Sequence, residues 1–252
     1  MIITKEVNCK INIGLQVVRK RSDGYHDLQT IFYPTDFFTD ILTIEDNVQS
    51  YELVCKTMQD IGYWKDNLCT KAFQLLQRDF QIPNVRIHLE KRIPTGAGLG
   101  GGSADAAFTL TMLKKLFKLP LTSEQLKEYA AQLGSDVPFF IENKPVYATG
   151  RGEIMSPLPF FLTDHEIRIK KPDFSVSTKE AYAGITPQMP EVELPKAIMR
   201  PMKEWKELIH NDFEDSIFQK YPSLKTLKQK FYEEGALYSS MTGSGTAVYG
   251  IF

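Results

Sequence analysis

From Val7 to Val17 the chain alternates. Val7, Cys9, Ile11, Ile13, Leu15 and Val17 are apolar, and Asn8, Lys10, Asn12, Gly14 and Gln16 fall between them. A period of two is that of a strand with one face turned to a core. The polar run from Arg19 to Gly24 ends in Asp-Gly, a turn signal. Leu28 to Tyr33, Ile41 to Ile44, Tyr51 to Cys55 and Val85 to Leu89 read as further short strands. Asn67 to Phe80 sets Leu68, Ala72, Leu75, Leu76 and Phe80 at helical spacing. Ser103 to Phe117 carries Ala106, Ala107, Leu110, Leu113 and Phe117 on one stripe, with Pro120 just past its end. Thr122-Ser123-Glu124-Gln125 is a capping box opening another helix, which Gly134 closes.

Near Ala148 to Gly152 the pattern changes, and Pro157-Leu158-Pro159 reads as a link. Beyond it come a strand at Ile167 to Lys170, a stretch broken by Pro187, Pro190 and Pro195, helices near Lys203 to Ile209 and Ser223 to Glu234, and a last strand from Thr246 to Phe252. Strands in runs and helices in runs predict an α+β fold. With 252 residues, the break near 150 predicts two domains, 1–150 and 151–252. Hydrophobic residues at 42% and charged residues at 24% exclude a disordered chain. Thirty Lys and Arg against 31 Asp and Glu leave a formal charge of −1, which gives no sequence-wide footprint for nucleic acid or an anionic membrane. No apolar run approaches the ~20 residues that span a bilayer, and Met1 to Glu6 lacks the marks of a secretion signal. Cys9, Cys55 and Cys69 form no CxxC pair, as in a reducing compartment. The expectation is a cytoplasmic protein, off the membrane and without a nucleic-acid partner.

Chemistry concentrates in the loop Pro94-Thr95-Gly96-Ala97-Gly98-Leu99-Gly100-Gly101-Gly102-Ser103, between a strand and the strongest helix. Five glycines let successive N–H groups turn toward one point, and the helix start adds a positive dipole end, a combination suited to phosphate. The Walker pattern fails, because no Lys-Ser or Lys-Thr follows the glycines. Gly96, Gly98 and Gly101 match the dinucleotide fingerprint, but the acid in the ribose window, Glu124, sits in the capping box. Lys10 lies mid-strand between Asn8 and Asn12, so it reads either as a solvated strand lysine or as a point charge reaching a pocket. Asp136, after Gly134-Ser135, reads either as a cap or as a general base beside a phosphate loop. Asp23-Gly24-Tyr25-His26 sets an aromatic and an imidazole on a tight turn, and Thr242-Gly243-Ser244-Gly245 is a second small-residue loop.

Lys10-Ile11-Asn12, Pro94 to Ala104 and Thr242 to Gly245 fall in the order of the three motifs of the GHMP kinases (galacto-, homoserine, mevalonate and phosphomevalonate kinases), which the chain resembles over nearly its whole length. Arg21 to Leu28, Gly134 to Phe140, Gly150 to Glu153 and Asn211 to Glu214 are similar to segments of one branch, whose acceptor is a cytidyl-linked methylerythritol. The resemblance implies a two-domain fold with the active site in the interdomain cleft. It implies transfer of the ATP γ-phosphate to the acceptor's 2-hydroxyl, in the non-mevalonate route to isoprenoid precursors. On this reading Lys10 and Asp136 are catalytic, and ATP is bound by Pro94, Thr95, Gly96, Ala97, Gly98, Leu99, Gly100, Gly101, Gly102, Ser103 and Ala104. Asn67 and Lys91 lie near the adenine, Tyr25 and Tyr182 sandwich the cytosine with His26 and Asn12 nearby, and Ser103 meets Mg²⁺. The implied partner is a small molecule with a cytidine diphosphate group, and the implied state a monomer or weak homodimer. A homoserine or mevalonate kinase would share the glycine loop without needing Asp23 to His26. A nicotinamide-dependent oxidoreductase would need the ribose acid that is missing, and a nucleic-acid module would need a basic face.

Overall fold

The computed structural model describes residues 1–57 and 66–252. Two long strands open the chain, β1 (Ile2–Lys20) and β2 (His26–Glu45), and β1 pairs with β2. The segments read from sequence as separate strands, Leu28 to Tyr33 and Ile41 to Ile44, belong to this single β2. Pro34, Asp36 and Asp40 interrupt the apolar pattern between them without ending the strand. The chain divides into two compact units, and both β1 and β2 contribute residues to each. That division differs from the sequence break expected at 150, because the two strands run on from one unit into the other.

The first unit comprises Met1–Cys9, Phe38–Pro94 and Gly100–Asn143. Here β4 (Arg86–Lys91) pairs antiparallel with the end of β2, Ile41 facing Glu90, and parallel with β3 (Glu52–Thr57). Parallel neighbours need a crossover, and it contains α1 (Leu68–Phe80), which packs on α2 (Gly101–Leu116). The capping box holds as read: Thr122 Oγ1 accepts from Gln125 N, and Gln125 Oε1 accepts from Thr122 N, opening α3 (Ser123–Ala131). A short α4 (Phe139–Glu142) follows. Leu42, Ile44, Leu76, Ile87, Leu110 and Leu113 are fully buried in this unit.

The second unit comprises Lys10–Phe37, Thr95–Leu99 and Lys144–Phe252. The first part of β2 pairs with β5 (Val146–Thr149), which pairs with β6 (Ile154–Pro157). A separate antiparallel sheet has the order β7 (Ile167–Lys170), β9 (Val248–Ile251), β8 (Tyr238–Met241). Around it lie α5 (Thr178–Ala183), α6 (Leu194–Ala197), α7 (Trp205–Leu208), α8 (Phe213–Lys220) and α9 (Pro222–Glu233). Its core joins Leu15 and Val17 of β1 to Ala181, Phe213, Ile217, Phe231, Met241 and Val248. From Cys9 to Val17 every residue of β1 is buried, so both faces of the strand are covered and not one as the alternation predicts.

Candidate active site

Lys10 is 3% exposed, which excludes a solvated strand lysine. Its Nζ donates to Asn12 Oδ1 at 2.5 Å and to the Gly98 carbonyl at 3.0 Å, and lies 5.0 Å from the centre of the Phe32 ring. The Asn12 amide is turned to receive the ammonium, since its Nδ2 donates to Thr30 Oγ1 at 2.9 Å and leaves Oδ1 toward Lys10. Thr242 Oγ1 accepts from Asn12 N at 2.9 Å and donates toward Asn12 Oδ1 and Gly98 O at 3.3 Å. Asn211 Nδ2 donates to the carbonyls of Met241 and Gly243, fixing the late loop. The strand, the glycine loop and the late loop thus meet atom to atom within the second unit. Gly98 makes that junction possible. Its φ is +78°, and a Cβ there would stand 2.1 Å from the Thr242 carbonyl oxygen.

The second half of the glycine loop belongs to the first unit. Gly100, at φ +73°, is the N-cap of α2, and no side chain caps the helix start. The first N–H groups of a sixteen-residue helix therefore end in glycines, an anion-binding arrangement. Gly102 has no atom within 4 Å of where a Cβ would sit, and its φ is not positive. Beside this start, Lys91 Nζ donates to Asp40 Oδ2 and, at 2.6 Å, to Asp105 Oδ2. Burial works against the ammonium, and the two carboxylates outweigh it, so its pKa is raised.

The open space at Gly102 yields a prediction. Gly102→Ala relieves chain entropy at a helix-compatible position, worth about 0.4–1 kcal/mol, so the melting temperature should rise by about 1–4 °C. If phosphate sits where that methyl would be, the KM for ATP should nevertheless rise about 10-fold, the cost of one lost hydrogen bond. A variant that is more stable and binds ATP normally would place the phosphates elsewhere.

Asp136 follows α3 in a turn, partly exposed, closed by Val137 N donating to Gly134 O at 3.2 Å. The helix after it, α4, has Pro138 at its N-cap. Asn67 is the N-cap of α1, its Oδ1 accepting from Cys69 N at 2.8 Å.

On the turn after β1, Arg21 N donates to Tyr25 O at 2.8 Å and Tyr25 N to Asp23 Oδ1 at 3.1 Å. That backbone N–H, with Arg21, lowers the Asp23 pKa. The Tyr25 ring is 58% exposed, with the Arg151 guanidinium 5.1 Å from its centre. His26 stacks on Tyr182 with centroids 4.8 Å apart and planes at 24°, and Tyr182 meets Phe213 edge-on. The aromatic pair brought into contact is therefore His26 with Tyr182.

Sequence reasoning missed Thr30, Thr242, Asn211, Asp40 and Asp105 as individual site residues. A signal existed for Asp105, a carboxylate set among Ala104, Ala106 and Ala107, where burial demands a partner. No group of three or more His, Cys, Asp or Glu side chains suited to a metal ion occurs among the described residues. None of the described helices is long and apolar enough to cross a membrane.

Comparison with known proteins fits this arrangement. Residues 67–144 match the model of the GHMP kinases N terminal domain, and residues 193–252 that of the GHMP kinases C terminal domain. The 4-diphosphocytidyl-2-C-methyl-D-erythritol kinase of Bacteroides thetaiotaomicron is 48% identical over 97% of this chain and 90% of its own. The chain belongs to that kinase family, within the GHMP kinases. Its relative from Cytophaga hutchinsonii, with the same name, is 42% identical over 97% of this chain and 90% of its own. A crystal structure of 4-(cytidine 5'-diphospho)-2C-methyl-D-erythritol kinase superposes with a TM-score of 0.85 at 33% identity, covering 99% of this chain and 90% of that one. A homoserine kinase from Cytophaga hutchinsonii, 17% identical at a TM-score of 0.72 over 98% of this chain and 85% of its own, shares the fold. The expected two-domain α+β fold of GHMP kinases is borne out.

Proposed function

We infer that the protein transfers the γ-phosphoryl group of ATP to the 2-hydroxyl of 4-(cytidine 5'-diphospho)-2-C-methyl-D-erythritol, a step toward isoprenoid precursors. The observation that carries the chemistry is the buried Lys10, fastened at 2.5 Å to Asn12 and at 3.0 Å to the glycine loop. Phosphoryl transfer asks mainly for positioning and charge neutralisation. In this proposal Lys10 steadies the transferring phosphoryl group, and Asp136 takes the proton of the attacking hydroxyl as the new O–P bond forms and the bond to the β-phosphate breaks. Gly96 to Ser103 present N–H groups to the phosphates, flanked by Pro94, Thr95 and Ala104. Asn67 and Lys91 lie toward the adenine. Mg²⁺ would neutralise charge on the phosphates, and the Ser103 hydroxyl, in the first turn of α2, is the side chain offered to it. Asn12 acts here by orienting Lys10. Analysing the product by ³¹P NMR tests the reading: a new phosphomonoester on the methylerythritol 2-oxygen supports it, and phosphorylation elsewhere contradicts it.

Tyr25 and Tyr182 are proposed as the aromatic surfaces for the cytosine, with His26 hydrogen bonding beside them. The exposure of the Tyr25 ring supports this, since an aromatic presented to solvent and steadied by Arg151 has a face to offer. Stacking is worth about 1–3 kcal/mol per base, so Tyr25→Ala should raise the KM for the cytidyl substrate about 5- to 150-fold. The KM for ATP should stay within about threefold, because adenine is assigned to other residues. If CMP competes equally well against wild type and variant, Tyr25 has no stacking role.

A further inference from the structure

The Lys91 ammonium sits where elementary electrostatics disfavours it. A Cβ on Gly101, first residue of α2, would lie 3.3 Å from Lys91 Nζ, so the cation rests against the positive end of a helix dipole. Its side chain is 12% exposed, and little water offsets the cost. Two carboxylates hold it there: Asp40, fully buried on β2, and Asp105, 4% exposed in the second turn of α2. Asp40 does more. Its Oδ1 accepts from Arg92 N at 2.5 Å and Ile93 N at 2.8 Å, the last N–H groups before Pro94 begins the glycine loop. One carboxylate therefore grips the chain entering the loop, the other rides the helix leaving it, and the lysine ties them together.

We propose that Asp40 and Asp105 are positioning residues for ATP, a clamp that holds the Lys91 charge and both roots of the glycine loop in the nucleotide-binding arrangement. This rests on the reading that the glycine loop and the start of α2 take the ATP phosphates.

Asp105 Oδ1 is buried with no hydrogen-bond partner, so the bond from Lys91 to Oδ2 is what compensates the burial of this carboxylate. Removing that acceptor releases the lysine from the helix that leaves the loop.

Steady-state kinetics on wild type, Asp105→Asn and Asp105→Leu decide the matter. Asn keeps an acceptor for Lys91, so its KM for ATP should stay within about threefold of wild type. Asp105→Leu, which drops the lysine, should raise the KM for ATP about 10-fold or more without moving the acceptor KM. A KM for ATP that is alike in all three proteins, or KM values for both substrates rising together, overturns the clamp. Should the Leu variant fail to fold, Asp105→Ala, smaller and compatible with the helix, takes its place with the same expectation. If wild type does not phosphorylate the cytidyl substrate, the proposed function fails by itself. Calorimetric binding of a non-hydrolysable ATP analogue to the same variants then still tests the clamp.

Discussion

Asp136→Asn should lower turnover roughly 10²- to 10⁴-fold, the usual contribution of a general base. Asn preserves the shape of the side chain and cannot take a proton. The change falls in the turn between α3 and α4. ATP affinity by calorimetry should be unchanged, because the proton matters only at the chemical step. Turnover near the wild-type rate in this variant would remove Asp136 from the mechanism.

Gly98→Val should abolish measurable activity through a different route. At φ +78° a β-branched residue is strained by about 1–3 kcal/mol. The larger cost is the Thr242 carbonyl oxygen 2.1 Å from the new Cβ, with the carbonyl carbon at 3.0 Å and Gly245 N at 3.2 Å. All three are backbone atoms, and no rotamer change relieves them. The glycine loop and the late loop must part, and Lys10 loses its bond to Gly98 O. For a combined cost of about 3 kcal/mol or more, melting should fall by about 6–12 °C, and ATP binding should be lost. Gly102→Ala, only four residues on, should melt higher than wild type. A Gly98→Val protein that melts and binds ATP normally would falsify the packing of these two loops.

The sequence carried the local features and concealed the long-range ones. The alternation in β1, the stripe of α2 and the Thr122–Gln125 box are set by near neighbours, and each appears in the structure at the place read. Burial of Lys10 depends on Thr30, Thr242 and Gly98, all distant along the chain, and no local period records such pairing. The full length of β2 was hidden for a related reason. Asp40 looks like a break in an apolar strand until its partners Lys91, Arg92 and Ile93 arrive from β4 and the segment after it. Helices α4 and α6, of four residues each, are too short for a 3.6-residue period to emerge. At the site, residue types with unusual neighbours were legible: a lysine between asparagines, five glycines before a helix, an aromatic after Asp-Gly. Residues that only orient them, such as Asn211 and Thr30, were not, because their function lies in distances.

The most direct test of the central claim is a coupled ADP-release assay on the purified protein with ATP, run in parallel on 4-(cytidine 5'-diphospho)-2-C-methyl-D-erythritol, homoserine and mevalonate. Discrimination against an acceptor lacking the cytidyl group should exceed about 10³-fold in kcat/KM, since both the stacking surfaces and the groups that orient the hydroxyl go unused. ADP release with the cytidyl substrate alone is the result expected here. Comparable turnover of homoserine or mevalonate, or no turnover of the cytidyl substrate, would contradict it.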